Sequence, residues 1–231
     1  ICEDLELKPE DHLVEIGTGW GGMAIYAAEH YHCRVTTTTI SKEQFDYAAE
    51  AVKKRGLQDR ITVLFDDYRD LDGQFDKLVS IEMIEAVGHQ FYDTYFGTLS
   101  RLLKPDGKAV IQSITMTDQR YEQARDAVDF IKRYIFPGGC LPSLNVISNA
   151  VANVTDMQLS GLRDITRDYA DTLQDWHDTF LTQLDQVRAM GFDDRFIRMW
   201  RYYLSYCEGG FRERIIGTYQ ITMTKPYYRP N

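Results

Sequence analysis

The chain has 231 residues, enough for one domain with a substantial hydrophobic core, and its 44% hydrophobic and 26% charged residues are ordinary for a globular protein. A formal net charge of −9 argues against nucleic acid as the partner, because no basic surface dominates the chain. No apolar run approaches the roughly 18 residues of a membrane-spanning helix, and no signal peptide is visible, so we expect a cytoplasmic protein.

The chain starts at Ile1 without an initiator methionine, and residues 1–7 are typical of the end of a helix. We interpret this as an N-terminally short chain. Its four cysteines lie far apart and include no Cys-x-x-Cys pair, which favours reduced thiols over a disulfide framework or a zinc site. His30 and His32 lie beside Cys33, but no second ligand pair follows, so we expect a helix running into a strand and no metal site.

The first predicted strand, at 13–16, leads directly into a glycine-rich turn, and a helix is predicted at 23–30. Glycine lets the backbone pass close to a ligand, and the N-terminus of the following helix offers unpaired N–H groups. The spacing Gly-x-Gly-x-Gly differs from that of dinucleotide-binding folds, and the strand carries an acid, Glu15. A carboxylate there suits a ligand with an amine or several hydroxyls better than a pyrophosphate.

Strand and helix patterns then alternate, which predicts an α/β fold with a parallel sheet covered by helices on both faces. The predicted strands are 33–39, 61–65, 75–81 and 108–116, and the predicted helices are 42–55 and 90–103. Ligands of such sheets bind at the carboxyl ends of the strands. We therefore expect one crevice surrounded by residues 15–22, 37–41, 66–68 and 82–85.

The alternation breaks between residues 117 and 155, which we interpret as an inserted helical cap over the crevice. It resumes with a strand at 158–165, helices within 170–206 and a last strand at 217–224. No repeat, low-complexity stretch or Pro/Ser-rich linker indicates a second domain.

Six segments, in order, resemble the S-adenosylmethionine-dependent methyltransferases, and within them the cyclopropane-fatty-acid and mycolic-acid cyclopropane synthases. The resemblance covers essentially the whole chain, and the matching segments are 15–22, 39–44, 67–70, 83–88, 133–139 and 203–211. It implies a Rossmann-like class I methyltransferase with a seven-stranded, mostly parallel sheet. It also implies S-adenosylmethionine as cofactor. The implied binding residues are Glu15, Gly17 and Gly19 for methionine and ribose, Thr39, Ile40 and Gln44 for ribose and adenine, and Asp67 and Tyr68 for adenine.

In this family an acyl double bond attacks the sulfonium methyl group, and a base then removes a proton from the resulting cation so that the ring closes. The family's base is a bound bicarbonate. The resemblance assigns its contacts to Glu85, Tyr169 and the backbone of Ile114, while Gln112 stands at the position of the family's histidine. Glutamine can donate a hydrogen bond but cannot carry charge, which leaves bicarbonate binding open. Aromatic residues near the cap suit a transient cation: Tyr134, Phe136, Tyr169, Trp176, Trp200 and Tyr203.

The resemblance implies an unsaturated phospholipid as substrate, met at the membrane surface, and we also expect a homodimer. Methylene- or methyl-branching of a lipid, or methylation of another small molecule, stays open because of Gln112. A non-catalytic cofactor- or lipid-binding module also stays open, although Glu85 and the glycine turn argue against it. Arg195, Arg198 and Arg201 share one helix face. That face either meets phospholipid head groups, giving peripheral membrane association, or is solvated, with its arginines paired to nearby acids.

Overall fold

One sheet of seven strands organises the protein in the computed structural model, which describes residues 1–230. The strands are β1 (His12–Ile16), β2 (Arg34–Thr38), β3 (Ile61–Leu64), β4 (Phe75–Ile81), β5 (Leu103–Met116), β6 (Gln158–Asp164) and β7 (Ile216–Thr224). Their order is β3-β2-β1-β4-β5-β7-β6; the first five are parallel to one another, and β7 runs antiparallel to both β5 and β6. The seven-stranded, mostly parallel α/β sheet expected from the sequence is therefore confirmed.

Eleven α-helices within the described residues surround the sheet. They are α1 (Cys2–Leu5), α2 (Gly22–Tyr31), α3 (Lys42–Lys54), α4 (Ile84–Val87), α5 (Tyr92–Leu102), α6 (Asp118–Asp126), α7 (Phe130–Tyr134), α8 (Leu144–Val154), α9 (Thr166–Thr182), α10 (Leu184–Ala189) and α11 (Asp194–Arg212). Short 3-10 helices lie at Tyr68–Asp70 and His89–Phe91.

Neighbouring residues of each central strand serve two different cores, because successive side chains of a strand point to opposite faces. Leu13 packs with α1 and α2 on one face, whereas Val14 packs with α5 and α8 on the other. Both residues are fully buried. A third apolar cluster joins α9 and α11 around Leu173 and Leu204. Both faces of the sheet are thus covered, which leaves the strand ends as the place for a site.

The cap expected at 117–155 is smaller in the structure than in the sequence interpretation. Within α8, Ile147, Ala150 and Val151 are buried in the same core cluster as α5, so this helix covers the sheet. Only α6, α7 and the loop after them remain for a cap, and Phe130 of α7 packs edge-on against Tyr202 of α11, with ring centroids 4.7 Å apart. An amphipathic helix has the same apolar spacing in a core layer and in a cap, so the pattern could not separate the two.

Strand β5 also begins earlier than the sequence indicates. The segment 104–107, which lies between the predicted helix 90–103 and the predicted strand 108–116, is part of the strand, and the pairing of β4 with β5 shifts register between Phe75 and Lys77. No helix within residues 1–230 combines the length and the apolar character needed to cross a membrane.

Candidate active site

The glycine turn lies where β1 and β2 end side by side. Ile16 pairs with Thr38 at the last position of both strands. The backbone N–H groups of Gly17 and Thr18 both donate to the carbonyl oxygen of Thr38, at 3.1 and 2.9 Å. These bonds tie the start of the turn to the end of β2, so the turn is held at the carboxyl edge of the sheet.

Glu15 is a buried acid just below this turn, with 2% of its surface exposed. The Thr37 hydroxyl donates to Glu15 Oε2 at 2.7 Å, and the Thr18 hydroxyl lies 2.7 Å from that of Thr37. Burial raises the pKa of Glu15 to about 8, because the charged form loses hydration that one hydroxyl does not replace. A ligand that brings hydroxyls or a positive charge would stabilise the carboxylate form.

Two glycines let the backbone of the turn adopt a conformation that other residues disfavour, and their lack of side chains leaves free space beside it. Gly17 has φ +97° and Gly19 has φ +51°, in the region that side chains disfavour. A Cβ placed at Gly19 would meet no protein atom within 4 Å. The turn thus presents bare backbone to open space beside a buried acid, which fits the methionine and ribose portions of S-adenosylmethionine.

The residues expected to contact ribose and adenine follow β2 and β3. The Thr39 hydroxyl donates to Gln44 Oε1 at 2.8 Å, which holds the start of α3 against the end of β2. Ile40 is 74% exposed. Both oxygens of Asp67 accept hydrogen bonds from Arg69, and Tyr68 packs edge-on against buried Tyr95 at 5.9 Å. Contact of Asp67 and Tyr68 with adenine stays a prediction.

Two exposed aromatic residues near this edge had no role in the sequence analysis. Trp20, 60% exposed, lies in the glycine turn, and Phe65, 49% exposed, follows β3 directly. Large exposed aromatics at strand ends are unusual enough to suggest a surface for a planar ligand. Phe65 in particular could have been found from the sequence, since it follows a predicted strand of the crevice.

The four residues expected at the catalytic centre meet around two carboxyl groups. Glu85, on α4, accepts a hydrogen bond from the backbone N–H of Ile114 at 2.5 Å through Oε1. Its other oxygen, Oε2, is buried and has no hydrogen-bond partner within the described residues. Burial, with a smaller contribution from the charge of Glu82, raises the pKa of Glu85 to about 8. A buried acid with an unmet oxygen is suited to exchange a proton near neutral pH.

Glu82 is the second carboxyl group, and the sequence analysis placed it at the crevice without giving it a role. Its Oε1 accepts a hydrogen bond from Gln112 Nε2 at 2.8 Å, and its Oε2 accepts one from the Tyr169 hydroxyl at 2.8 Å. Burial, and next the Glu82 charge, raise the pKa of Tyr169, which keeps the tyrosine an O–H donor. The sequence signal that could have found Glu82 is its position directly after β4, three residues before Glu85.

Bicarbonate does not fit these residues as the resemblance implies. Of the four groups expected to contact it, all three donors already donate to carboxyl oxygens of the chain itself: Gln112 and Tyr169 to Glu82, and the Ile114 N–H to Glu85. An added anion would also meet the Glu82 carboxylate as a like charge. Only the unpartnered oxygen of Glu85 remains available to it.

Aromatic side chains surround the centre on the side of α9 and α11. Tyr169 lies 4.7 Å from Phe211, and Trp200 lies 5.0 Å from Tyr203, between ring centroids. Ile114, Tyr169, Trp200 and Tyr203 all pack on the same apolar cluster. Tyr134 and Trp176 are instead more than half exposed. The site is therefore apolar and aromatic next to two carboxyl groups, an environment that excludes water and tolerates a transient cation.

The cysteines and histidines form no cluster of this kind. All four cysteines are free, and Cys2, Cys33 and Cys140 are buried. Within residues 1–230, no group of three or more His, Cys, Asp or Glu side chains is arranged to hold a metal ion.

Comparison with known proteins gives one consistent result. A family model described as mycolic acid cyclopropane synthetase matches residues 1–221. The chain is 40% identical over 214 residues to the tuberculostearic acid methyltransferase UfaA1 of Mycobacterium tuberculosis, covering 93% of the chain and 50% of the relative. It is also 40% identical over 227 residues to the cyclopropane-fatty-acyl-phospholipid synthase of Escherichia coli K12, covering 97% and 56%. The chain spans about half the length of the curated relatives it matches.

Among solved structures, the mycolic acid cyclopropane synthase CmaA1 complexed with SAH and CTAB superposes with a TM-score of 0.88 at 28% identity. The match covers 96% of this chain and 81% of that one. The Rossmann-like fold expected from the sequence is thus shared with a solved protein over nearly the full chain.

Proposed function

Because this chain belongs to the mycolic acid cyclopropane synthetase family, we propose that it carries out S-adenosylmethionine-dependent methyl transfer to the double bond of an unsaturated phospholipid acyl chain, forming a cyclopropane. The observation that carries the proposal is Glu85: a buried carboxyl group with a raised pKa and an unpartnered oxygen, next to an aromatic cluster. A binding module has no need for such a group, which costs folding free energy.

Each part of the site has a defined task in this proposal. Glu15 and the backbone at Gly17 and Gly19 hold the cofactor, which supplies an electrophilic methyl group when bound. The aromatic rings of Tyr169 and Tyr203 exclude water and face the positive charge that develops on the acyl chain. The proton that the new methyl group must lose before the ring can close is handled at the two carboxyl groups of the centre, Glu82 and Glu85. Bicarbonate has no part in this proposal, because its expected donors are already bonded to carboxyl oxygens.

Lipid mass spectrometry tests the proposal directly. In a bacterial host whose own synthase gene is deleted, we expect unsaturated acyl chains to gain one CH2 unit when the host expresses this protein. They should stay unchanged when it does not. Unchanged lipids in the expressing host would contradict the proposal.

A second candidate product is a methylene- or methyl-branched chain, favoured by the 40% identity to a tuberculostearic acid methyltransferase and by Gln112 at the position of the family's histidine. Mass and ozonolysis together distinguish these products: a saturated methyl branch adds CH4 to the unsaturated chain, whereas a methylene branch and a cyclopropane each add CH2, and of these two only the methylene group is cleaved by ozone.

We further propose that the exposed face of α11 brings the protein to phospholipid head groups. Arg195, Arg198 and Arg201 are all exposed, and within residues 1–230 none of them forms an ion pair, unlike Arg212 on the same helix. This argues against a face on which the arginines are paired to nearby acids. Since the net charge is −9, attraction to an anionic membrane must come from such a local patch.

A homodimer stays a prediction.

Changing Arg195, Arg198 and Arg201 together to Gln should weaken cosedimentation with anionic phospholipid vesicles at low salt, by about 1 kcal/mol per arginine. The difference should shrink as salt rises through the physiological range. The matched control changes three arginines that do form ion pairs, Arg188, Arg212 and Arg214. Equal vesicle binding by both triple variants would place the membrane contact elsewhere.

A further inference from the structure

Glu82 occupies a position where any residue other than glycine is strained, and it is nevertheless held firmly. Its backbone has φ +52°, which a non-glycine residue adopts only at a cost of about 1–2 kcal/mol. Its N–H donates to the carbonyl oxygen of Gln112 at 2.8 Å, so the strained residue extends the pairing of β4 with β5 by one position. Strain of this kind persists where the surroundings over-determine it, and it concentrates at functional sites.

The donors around Glu82 are aimed at a negative charge. Gln112 and Tyr169, from β5 and α9, each donate to a different oxygen of its carboxylate. Gln220 Nε2 donates to Gln112 Oε1 at 3.0 Å, which orients the Gln112 amide so that its NH2 group faces Glu82. Gln112 and Gln220 are register partners on β5 and β7, so the backbone itself places this pair. This set of donors binds an anionic group, and that group is the Glu82 carboxylate of the chain itself.

We propose that the Glu82 carboxylate fills the position of the catalytic anion and is the base that removes the proton from the new methyl group. This inference rests on the proposed function. In the step, a C–H bond of the methyl group breaks and its proton passes to a Glu82 oxygen. The electron pair of that bond forms the new C–C bond at the neighbouring cationic carbon, and the ring closes. The proton leaves to solvent between turnovers, so no other reactant is consumed.

The neighbouring acid supports this assignment. Burial raises the pKa of Glu85 to about 8, so near pH 7 this neighbour is mostly protonated and adds little negative charge beside Glu82. Two carboxyl groups in different surroundings, one with an unpartnered buried oxygen and one hydrogen-bonded at both oxygens, are a common arrangement for acid–base work. The charge on Glu82 also stabilises a cation in the apolar site, where electrostatic interactions are stronger than in water.

Binding of 13C-bicarbonate, followed by broadening of its NMR resonance, tests whether Glu82 fills the anion position. We expect no broadening with the wild-type chain and clear broadening with Glu82→Gly, which removes the carboxylate and relieves the positive φ. Glu82→Gln, which keeps the shape, should also show none. Broadening with the wild type, or its absence with Glu82→Gly, would overturn the proposal.

Methyl transfer in decarbonated buffer tests the role as base. The wild type should be equally active with and without added bicarbonate. Glu82→Gly should lose about 100-fold or more in rate and recover with bicarbonate, whereas Glu82→Gln should stay low in both buffers. Glu122→Gln, an exposed carboxylate on α6, is the control. If Glu82→Gln transfers methyl groups at the wild-type rate, Glu82 is not the base. If no variant or wild type transfers methyl groups, the proposed function fails, while bicarbonate binding still decides the position of Glu82.

Discussion

Glu15→Gln is expected to weaken S-adenosylmethionine binding about 100-fold while the protein stays folded. The amide keeps the size of the side chain, and its carbonyl can still accept the hydrogen bond from Thr37. It cannot offer a negative charge to the ligand, and one hydrogen bond to a charged group contributes about 1.5–3 kcal/mol. Titration calorimetry of the two proteins with the cofactor measures the difference.

Gly19→Ala is the companion change in the same turn and should weaken cofactor binding about tenfold or more. Its methyl group would enter the open space beside the turn, where no protein atom lies within 4 Å. Gly56→Ala is the matched control, since Gly56 also has a positive φ, +68°, and open surroundings, but lies at the end of α3 away from the turn. If both alanine variants and Glu15→Gln bind the cofactor as well as the wild type, the turn is not its site.

Glu85→Gln is expected to lower turnover about 100-fold or more and to leave cofactor affinity near that of the wild type. An amide has the shape of the carboxyl group but can neither take up nor release a proton. Its carbonyl can accept the hydrogen bond from the Ile114 N–H in place of the acid, so ground-state binding is preserved. Rates of methyl transfer, with cofactor affinity measured on the same protein, test this. Unchanged turnover would exclude Glu85 as a proton-exchanging group.

Stability against pH gives an independent control for the Glu85 variant. The pKa of Glu85 rises from 4.5 to about 8 on folding, so between these values the folded chain holds a proton that the unfolded chain has lost. The free energy of unfolding therefore falls as the pH rises through this window, by about 1.4 kcal/mol per pH unit for this group. Glu85→Gln lacks this loss and should become more stable than the wild type as pH rises from 5 to 8. Denaturant melts at both pH values measure it, and a variant destabilised at pH 8 would contradict the buried position of the acid.

The local pattern of the sequence was sufficient to predict much of the fold, because each strand or helix depends largely on contacts among residues close to it in the chain. The alternation of strands and helices predicted the parallel sheet, and the glycine turn expected after the first strand lies at the carboxyl edge of that sheet. It was not sufficient for α8, whose apolar face packs in the core, since periodicity shows that a face is buried and not what buries it.

The sequence by itself determined the family and the sheet, and its resemblance to that family implied Gln112, Ile114, Tyr169 and Glu85 as neighbours at one centre. Only the tertiary structure decided which groups these donors meet. Gln112 and Tyr169 come from β5 and α9, and they converge on Glu82, which holds a strained position at the end of β4. The direction of a hydrogen bond depends on how distant segments are placed to within a few tenths of an ångström, and residue spacing along the chain carries no such information.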